Sequence, residues 1–374
     1  MASKVIIRGY YGFGNLGDDV LMLVSYKLIR KIFPQADVLV CSNSNTNEYI
    51  HSFLGERVQL IKDHDPVVAD WILDGGGGVY FDFSSASKIY KLLNTLLKLF
   101  GIKWFKFLYK KYRNIKGAPG IFSKFKAGIG IGVGTYSGSS SKYYADMILL
   151  SEYNFLSVRD TESESNIRKM GFNYPVFAAS DLAFLTQYWC SQTRINEPES
   201  KSTCVGFILR DWKFNAASDY ASVKETTKRL QAMDIKVMFF SFDRIDSAYK
   251  KEFGECDFNE WNPAEVGLEN YLAKLRQCSL VVTSRAHGGI MAACLGIPAI
   301  CIAIEPKLKV VHQMLKNSSG LLESPIAPDA LLAEIQSRLA RKDLVNSVRL
   351  DVELNRIKME AAYQKLSEFV KQTV

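Results

Sequence analysis

Arg285 and His287 stand close together in the run Thr283-Ser284-Arg285-Ala286-His287-Gly288-Gly289, and the chemistry of the chain concentrates there. A guanidinium can hold a phosphate or carboxylate in a fork of hydrogen bonds, and an adjacent imidazole can move a proton near neutral pH. Apolar runs over 279–282 and 298–304 flank the segment, with a small-residue helix over 289–296 between them. A strand therefore delivers both side chains to a sheet edge, where open α/β sheets bind ligands. The helix that follows offers free N–H groups to an anion. Lys307 comes after the next strand and reaches the same edge. Arg159 follows an apolar run over 155–158, and Arg210 follows one over 204–209. Four cations at matching topological positions predict a small polyanionic ligand.

The elements that must position these groups alternate in type. Strands are expected over 5–8, 38–41, 71–73, 127–133, 155–158 and 176–179, with helices over 19–33 and 142–152. A second set begins with a strand over 204–209, a helix over 221–233, a strand over 236–240 and a helix over 268–277. Alternation of this kind predicts parallel sheets. A chain of 374 residues exceeds one ordinary core. The polar stretch 191–202 reads as a linker. The expected fold class is α/β, with two Rossmann-like domains, 1–190 and 203–345, facing across a cleft, and a closing helix over 346–374.

Two glycine-rich turns sit at strand ends. Gly12-Phe13-Gly14-Asn15-Leu16-Gly17 spells the dinucleotide fingerprint, but two features oppose that reading. Asp18 and Asp19 occupy the helix start that a pyrophosphate would approach. The second strand ends in Cys41-Ser42-Asn43 instead of a ribose-binding acid, Asp37 lying ahead of it. The turn is expected to let a ligand approach the backbone, with Tyr11 and Phe13 exposed. Asp74 opens Gly75-Gly76-Gly77-Gly78, whose entropic cost implies close approach of a ligand or of other backbone.

Composition narrows the class further. The seven cysteines are scattered, without a C-x-x-C pair, which fits reduced thiols better than disulfides or zinc. No H-E-x-x-H or calcium-loop pattern occurs, so no metal is expected. The chain has neither an apolar run of membrane-spanning length nor a secretory leader, so it is expected in the cytoplasm. The net charge of +8 is uneven: residues 87–126 carry eleven lysines and arginines and no acid, interleaved with aromatics and leucines. Such a segment suits an anionic membrane interface at the inner face of the plasma membrane. A soluble hairpin with snorkelling lysines has the same composition. No nucleic-acid module is present.

Five motifs then occur in order: Gly9-Tyr10-Tyr11-Gly12-Phe13-Gly14-Asn15-Leu16-Gly17-Asp18-Asp19, Asp74 with Gly75–Gly78, Ser157-Val158-Arg159-Asp160, Ser180-Asp181-Leu182-Ala183-Phe184, and Ser284-Arg285-Ala286-His287 with Gly296-Ile297-Pro298. Together, over roughly residues 4 to 310, they resemble the polysaccharide pyruvyl transferases. The resemblance implies a fold like the B-type glycosyltransferases, phosphoenolpyruvate as donor without a further cofactor, and a sugar acceptor on a polyprenyl diphosphate carrier. It implies that Arg159, Arg285, His287 and Lys307 line the donor site in the second domain, with Tyr11 and Phe13 near it. His287 and Arg285 are the expected catalytic pair. Asn15, Asp18, Asp74, Gly75, Gly76, Asp181, Arg210 and Ser284 complete the expected substrate-binding set.

Forming a pyruvate ketal needs a group that protonates the donor's methylene carbon, and His287 alone among the histidines lies at a sheet edge beside cations. Arg285 and Lys307 are placed to hold the phosphate and Arg159 or Arg210 the carboxylate, an assignment that stays open at this point. Asp181 and Asp74 are candidate bases for an acceptor hydroxyl. Two other functions fit the residues. One is a nucleotide-sugar glycosyltransferase of the same fold, with Glu305 on a ribose. The other is a non-catalytic scaffold held at the membrane by 87–126.

Overall fold

The computed structural model describes residues 3–82, 100–101, 104, 107, 120–136, 142–172, 174–190, 203–210, 219–244, 246, 250, 252–253 and 256–373. The expected linker 191–202 and most of the basic segment 87–126 lie outside them.

The N-terminal domain runs β1 (Lys4–Arg8), α1 (Leu16–Ile32), β2 (Asp37–Cys41), α2 (Ile50–Leu54), β3 (Gln59–Ile61), β4 (Val68–Gly75), β5 (Gly78–Asp82), β6 (Phe122–Tyr136), α3 (Lys142–Leu150), β7 (Phe155–Val158), α4 (Thr161–Lys169) and β8 (Val176–Ala178). Its sheet has the order β3-β2-β1-β4-β6-β7-β8, with β5 pairing β6 outside that path. The second domain runs β9 (Cys204–Ile208), α5 (Tyr220–Ala232), β10 (Lys236–Ser241), β11 (Asp257–Glu260), α6 (Leu268–Leu275), β12 (Leu280–Thr283), α7 (Ala286–Cys294), β13 (Ala299–Ala303), α8 (Pro306–Met314), β14 (Ser319–Glu323), α9 (Pro328–Ala340) and α10 (Leu344–Thr373). Its order is β11-β10-β9-β12-β13-β14. The described pairings are parallel in both sheets.

Continuous apolar runs such as Val5-Ile6-Ile7 and Leu280-Val281-Val282 are buried, as strands covered by helices on both faces must be. Both sheets are therefore of the expected doubly wound kind. The strands that escaped the sequence pattern are short or polar. β11 reads Asp-Phe-Asn-Glu and sits at an edge, where one row of apolar contacts suffices.

Three of the described connections between the domains come from α1 and from the last helix of the chain. The Leu16 N–H donates to the Phe242 carbonyl at 2.8 Å. The Trp261 indole donates to Asp19 on α1 at 2.9 Å. The third is α10, a 30-residue helix that starts on the second domain and ends on the first. Near its start, Asp351 accepts from Ser318 Oγ at 2.7 Å; near its end, Phe369 packs 5.8 Å from Phe155 and 6.1 Å from Trp71. Between them, Ser180 Oγ donates to Asn355 at 2.7 Å. The closing helix is thus a strap across both domains rather than an appendage of the second.

Candidate active site

The turn after β12 is built by its own side chains. Thr283 Oγ1 accepts from the Arg285 N–H and donates to the Arg285 carbonyl, both at 2.9 Å. This closes the turn and starts α7 with Arg285 as its N-cap. Gly288 makes room for it, since a Cβ there would stand 2.3 Å from Thr283 Oγ1. Ser284 Oγ accepts from the Arg210 N–H at 2.8 Å and so ties the turn after β9 to the turn after β12. Two of the expected cations are therefore set by one local network.

Arg285 is buried and committed. Its Nη2 donates to Asp246 at 2.5 Å and lies 3.6 Å from Asp243, and its Nε faces Asp246 as well. Burial pushes the Asp246 carboxyl up to about 6 against the pull of Arg285. Neither acid was anticipated from sequence; their one signal was their position just past the β10 edge.

His287 sits one residue into α7 and meets the other domain. A Cβ on Gly17 would lie 2.1 Å from its Nδ1, so the imidazole packs flush against the first turn of α1. Its Nε2 stands 3.6 Å from Asp181 Oδ2, which is also 3.8 Å from Arg159 Nη1. The other Asp181 oxygen accepts the Ala183 N–H at 3.0 Å. Asp181 is fully buried; burial alone would raise its pKa, but His287 and Arg159 outweigh that and hold it below the usual carboxylate range. His287 Nε2 and Asp181 Oδ2 are buried with no hydrogen bond among the described residues. A polar pair left open like this is an expected place for a ligand or a moving proton.

Cations surround the pair. Arg159 lies flush against Gly132 and pairs with Asp160 at 3.1 Å. Arg210 faces Glu305 at 3.6 Å. Lys307 stands 4.2 Å above the Phe81 ring, and burial lowers its pKa to about 8 although Glu305 opposes this. Its charge is felt by Asp18 on α1. Burial raises the Asp18 carboxyl, opposed by His287, Lys307 and Arg285. The structure thus brings Asp18, Arg159, Asp181, Arg210, Ser284, Arg285, His287 and Lys307 to one interdomain cleft.

The remaining expected residues lie elsewhere or play other parts. Tyr11 was expected exposed but is 1 % exposed, because its hydroxyl donates to the Gly75 carbonyl at 2.7 Å. Gly75 is packed by this chain itself: a Cβ would stand 1.9 Å from Ser25 Oγ. Gly76 has φ of 68° and packs on Leu21 and Leu182. Asn15 caps α1, accepting from the Gly17 N–H at 3.2 Å. Asp74 is buried against Arg8 at 2.7 Å, with Lys126 at 3.8 Å and the Tyr153 hydroxyl beside it. Phe13 is half-buried and stacks on Tyr10 with ring centroids 4.1 Å apart.

Two parallel-sheet α/β domains closing on a shared cleft define a fold class, that of the GT-B glycosyltransferases and the UDP-GlcNAc 2-epimerases. The MnaA protein of S. aureus, solved with UDP, superimposes with a TM-score of 0.62 at 9 % identity, covering 99 % of this chain and 96 % of that one. The UDP-GlcNAc 2-epimerase of Methanocaldococcus jannaschii gives 0.54 at 10 %, covering 94 % and 98 %. The calicheamicin glycosyltransferase CalG4 gives 0.50 at 10 %, covering 99 % and 98 %. No curated protein matches the sequence. The polysaccharide pyruvyl transferase family model matches residues 15–306, and the chain belongs to that family. It is therefore a transferase of polysaccharide biosynthesis. Among the described residues, no helix is long and apolar enough to cross a membrane.

Proposed function

We propose that this protein transfers the enolpyruvyl carbons of phosphoenolpyruvate to two hydroxyls of a sugar in a polysaccharide repeat, releasing phosphate and leaving a pyruvate ketal. The observation that carries the reading is the open His287–Asp181 pair, set between cations from both domains. Phosphoenolpyruvate carries two anionic groups and a nucleophilic methylene carbon, so it needs cations and a proton donor in one place.

Protonated His287, backed by Asp181, donates to the methylene carbon while a sugar hydroxyl oxygen bonds to the adjacent carbon and its proton passes to a carboxylate of the cleft. The phosphate then departs with its bonding pair, leaving an oxocarbenium-like centre. The second hydroxyl oxygen closes the ketal and its proton leaves with the phosphate. Donation by a positioned imidazole is worth about 10²–10⁴-fold. Arg285 is held by Asp246 and Asp243, whereas Lys307, Arg159 and Arg210 surround the open pair. They are the groups suited to the donor's two anions, and Arg285 holds the turn that aims His287. Stabilising the leaving phosphate by fixed charges in a water-poor cleft is the larger electrostatic contribution. The acceptor is read as lipid-linked, with residues 87–126 as a peripheral membrane contact at the inner face of the plasma membrane.

The test is phosphate release from phosphoenolpyruvate with mass detection of the acceptor, over a panel of free and polyprenyl diphosphate-linked sugars. Stoichiometric release with a mass gain of one pyruvyl ketal supports the reading. A nucleotide sugar bound in place of phosphoenolpyruvate overturns it in favour of glycosyl transfer.

A further inference from the structure

Two aromatic rings lie beside the cleft without a part in the chemistry above. Tyr10 is 56 % exposed, the ring of Phe13 lies under it at 4.1 Å, and the two planes differ by 11°. The stacked pair presents one continuous aromatic face to solvent. The turn that carries the stack meets the second domain beside Asp243: the Leu16 N–H reaches the Phe242 carbonyl at 2.8 Å, and a Cβ on Gly14 would stand 3.8 Å from Pro263. An aromatic face is electronegative. It suits the C–H face of a pyranose, whose hydroxyls need donors and acceptors at the rim. Asp243, partly exposed and 3.6 Å from the Arg285 guanidinium, is such a group here.

The reaction also needs a base for the first hydroxyl, and the carboxylates of the cleft are not equivalent. Asp181 is wholly buried behind His287. Asp246 is spent on Arg285, and Glu305 is buried facing Arg210. Asp74 is walled in by Arg8, Lys126 and Tyr153. Asp18 is only partly buried on the first turn of α1, one residue from the glycine that His287 packs upon. It therefore faces the proton donor from the opposite domain.

We infer that Tyr10 and Phe13 form the stacking platform for the acceptor's pyranose ring, and that Asp18 takes the proton of its attacking hydroxyl. The O–H bond breaks toward the Asp18 carboxylate as the oxygen bonds to the donor, and the donor's π pair takes a proton from His287. Asp18 replaces Asp181 and Asp74 as the base. The inference rests on the pyruvyl-transfer reading for the identity of its second substrate, but its first test needs neither donor nor turnover.

That test is saturation-transfer NMR with the methyl glycosides of galactose, glucose, mannose and N-acetylmannosamine, with uridine as the contrasting ligand. At least one glycoside is expected to receive saturation on the protons of one ring face. Tyr10→Ala and Phe13→Ala are expected to weaken that signal at least fivefold while melting temperature holds. Absence of signal from every glycoside, a signal indifferent to Tyr10→Ala, or saturation of uridine instead, each overturns the platform. Asp18→Asn is expected to keep the sugar signal and to lower kcat about 10²-fold, with the acidic limb of its pH profile lost. Normal turnover by Asp18→Asn removes the base assignment, and failure of the wild type to release phosphate removes the pyruvyl reading while leaving the platform result intact.

Discussion

The N-terminal sheet supports two buried charge clusters, and they are opposites. In the first, Asp74 at the end of β4 is met by Arg8 at 2.7 Å, Lys126 at 3.8 Å and the Tyr153 hydroxyl. Its carboxyl stays below the usual range because Arg8 and Lys126 outweigh the burial that would raise it. In the second, Asp181 has one oxygen capped and the other left between His287 and Arg159, neither closer than 3.6 Å. The first cluster draws on one domain and is closed; the second needs both domains and is open. Residue type and burial are the same in each, so neither separates structure from function. What separates them is whether the polar atoms are satisfied without a ligand.

Exchanging the damage between the clusters gives the largest effects. His287→Ala is expected to lower kcat about 10³-fold with melting temperature nearly unchanged. Asp74→Ala should do the reverse, costing about 3–5 kcal/mol of stability because it strands Arg8 and Lys126, while kcat per folded molecule holds. Chemical denaturation alongside steady-state rates of both variants checks the pair. A catalytic collapse in Asp74→Ala with stability intact would erase the distinction.

A smaller effect tests how the open cluster is aimed. Gly17→Ala would place a Cβ 2.1 Å from His287 Nδ1, so the ring must move. Misplacement of about 1 Å typically costs about 10²-fold, and kcat is expected to fall by that much with phosphoenolpyruvate affinity retained. Calorimetric titration of the donor separates the two quantities.

Lys307 gives a pH signature the closed cluster lacks. Burial brings it to about 8, so it is charged below that pH and neutral above it. KM for phosphoenolpyruvate is expected to rise as pH passes 8, approaching about tenfold per unit. Lys307→Arg should flatten the rise, because a guanidinium stays charged throughout. A wild-type KM flat from pH 7 to 10 would remove Lys307 from the donor site.

How much of this was legible follows the same division. The strand-end cations were visible because an apolar run followed by Arg or Lys has one topological meaning in a parallel sheet. Arg159, Arg210, Arg285 and Lys307 do converge. Their partners were not visible: Asp243 and Asp246 follow an ordinary strand, and nothing local says that Arg285 neutralises them. The first glycine turn was read as a ligand approach and the second as an approach of ligand or backbone, yet Gly75 yields to the side chains of Tyr11 and Ser25, and Gly17 to His287. A glycine reports that something comes close; sequence does not say what. Tyr10 escaped for the converse reason, since neighbouring aromatics do not reveal which one turns outward. The strap α10 was readable as a helix, but its second domain contact depends on where Phe369 arrives, 298 residues beyond Trp71 in sequence.

The mildest effect falls on the seam that holds the open cluster together. Asp19, beside Asp18 on α1, accepts from Trp261 of the second domain at 2.9 Å and from the Tyr49 hydroxyl. Burial outweighs both bonds and pushes its carboxyl up to about 7. A raised folded-state pKa means that the folded chain holds this proton more tightly than the unfolded one. The resulting stability is complete below the ordinary aspartate range and is lost as pH rises toward 7. Asp19→Asn keeps an acceptor for the indole and cannot ionise, so its melting temperature should hold over that window while the wild type declines by a few degrees. Thermal melts of both at pH 4.5, 6 and 7.5 check this. Parallel curves would mean that Asp19 is ionised in the fold, and that the seam between the domains is as closed a cluster as the one at Asp74.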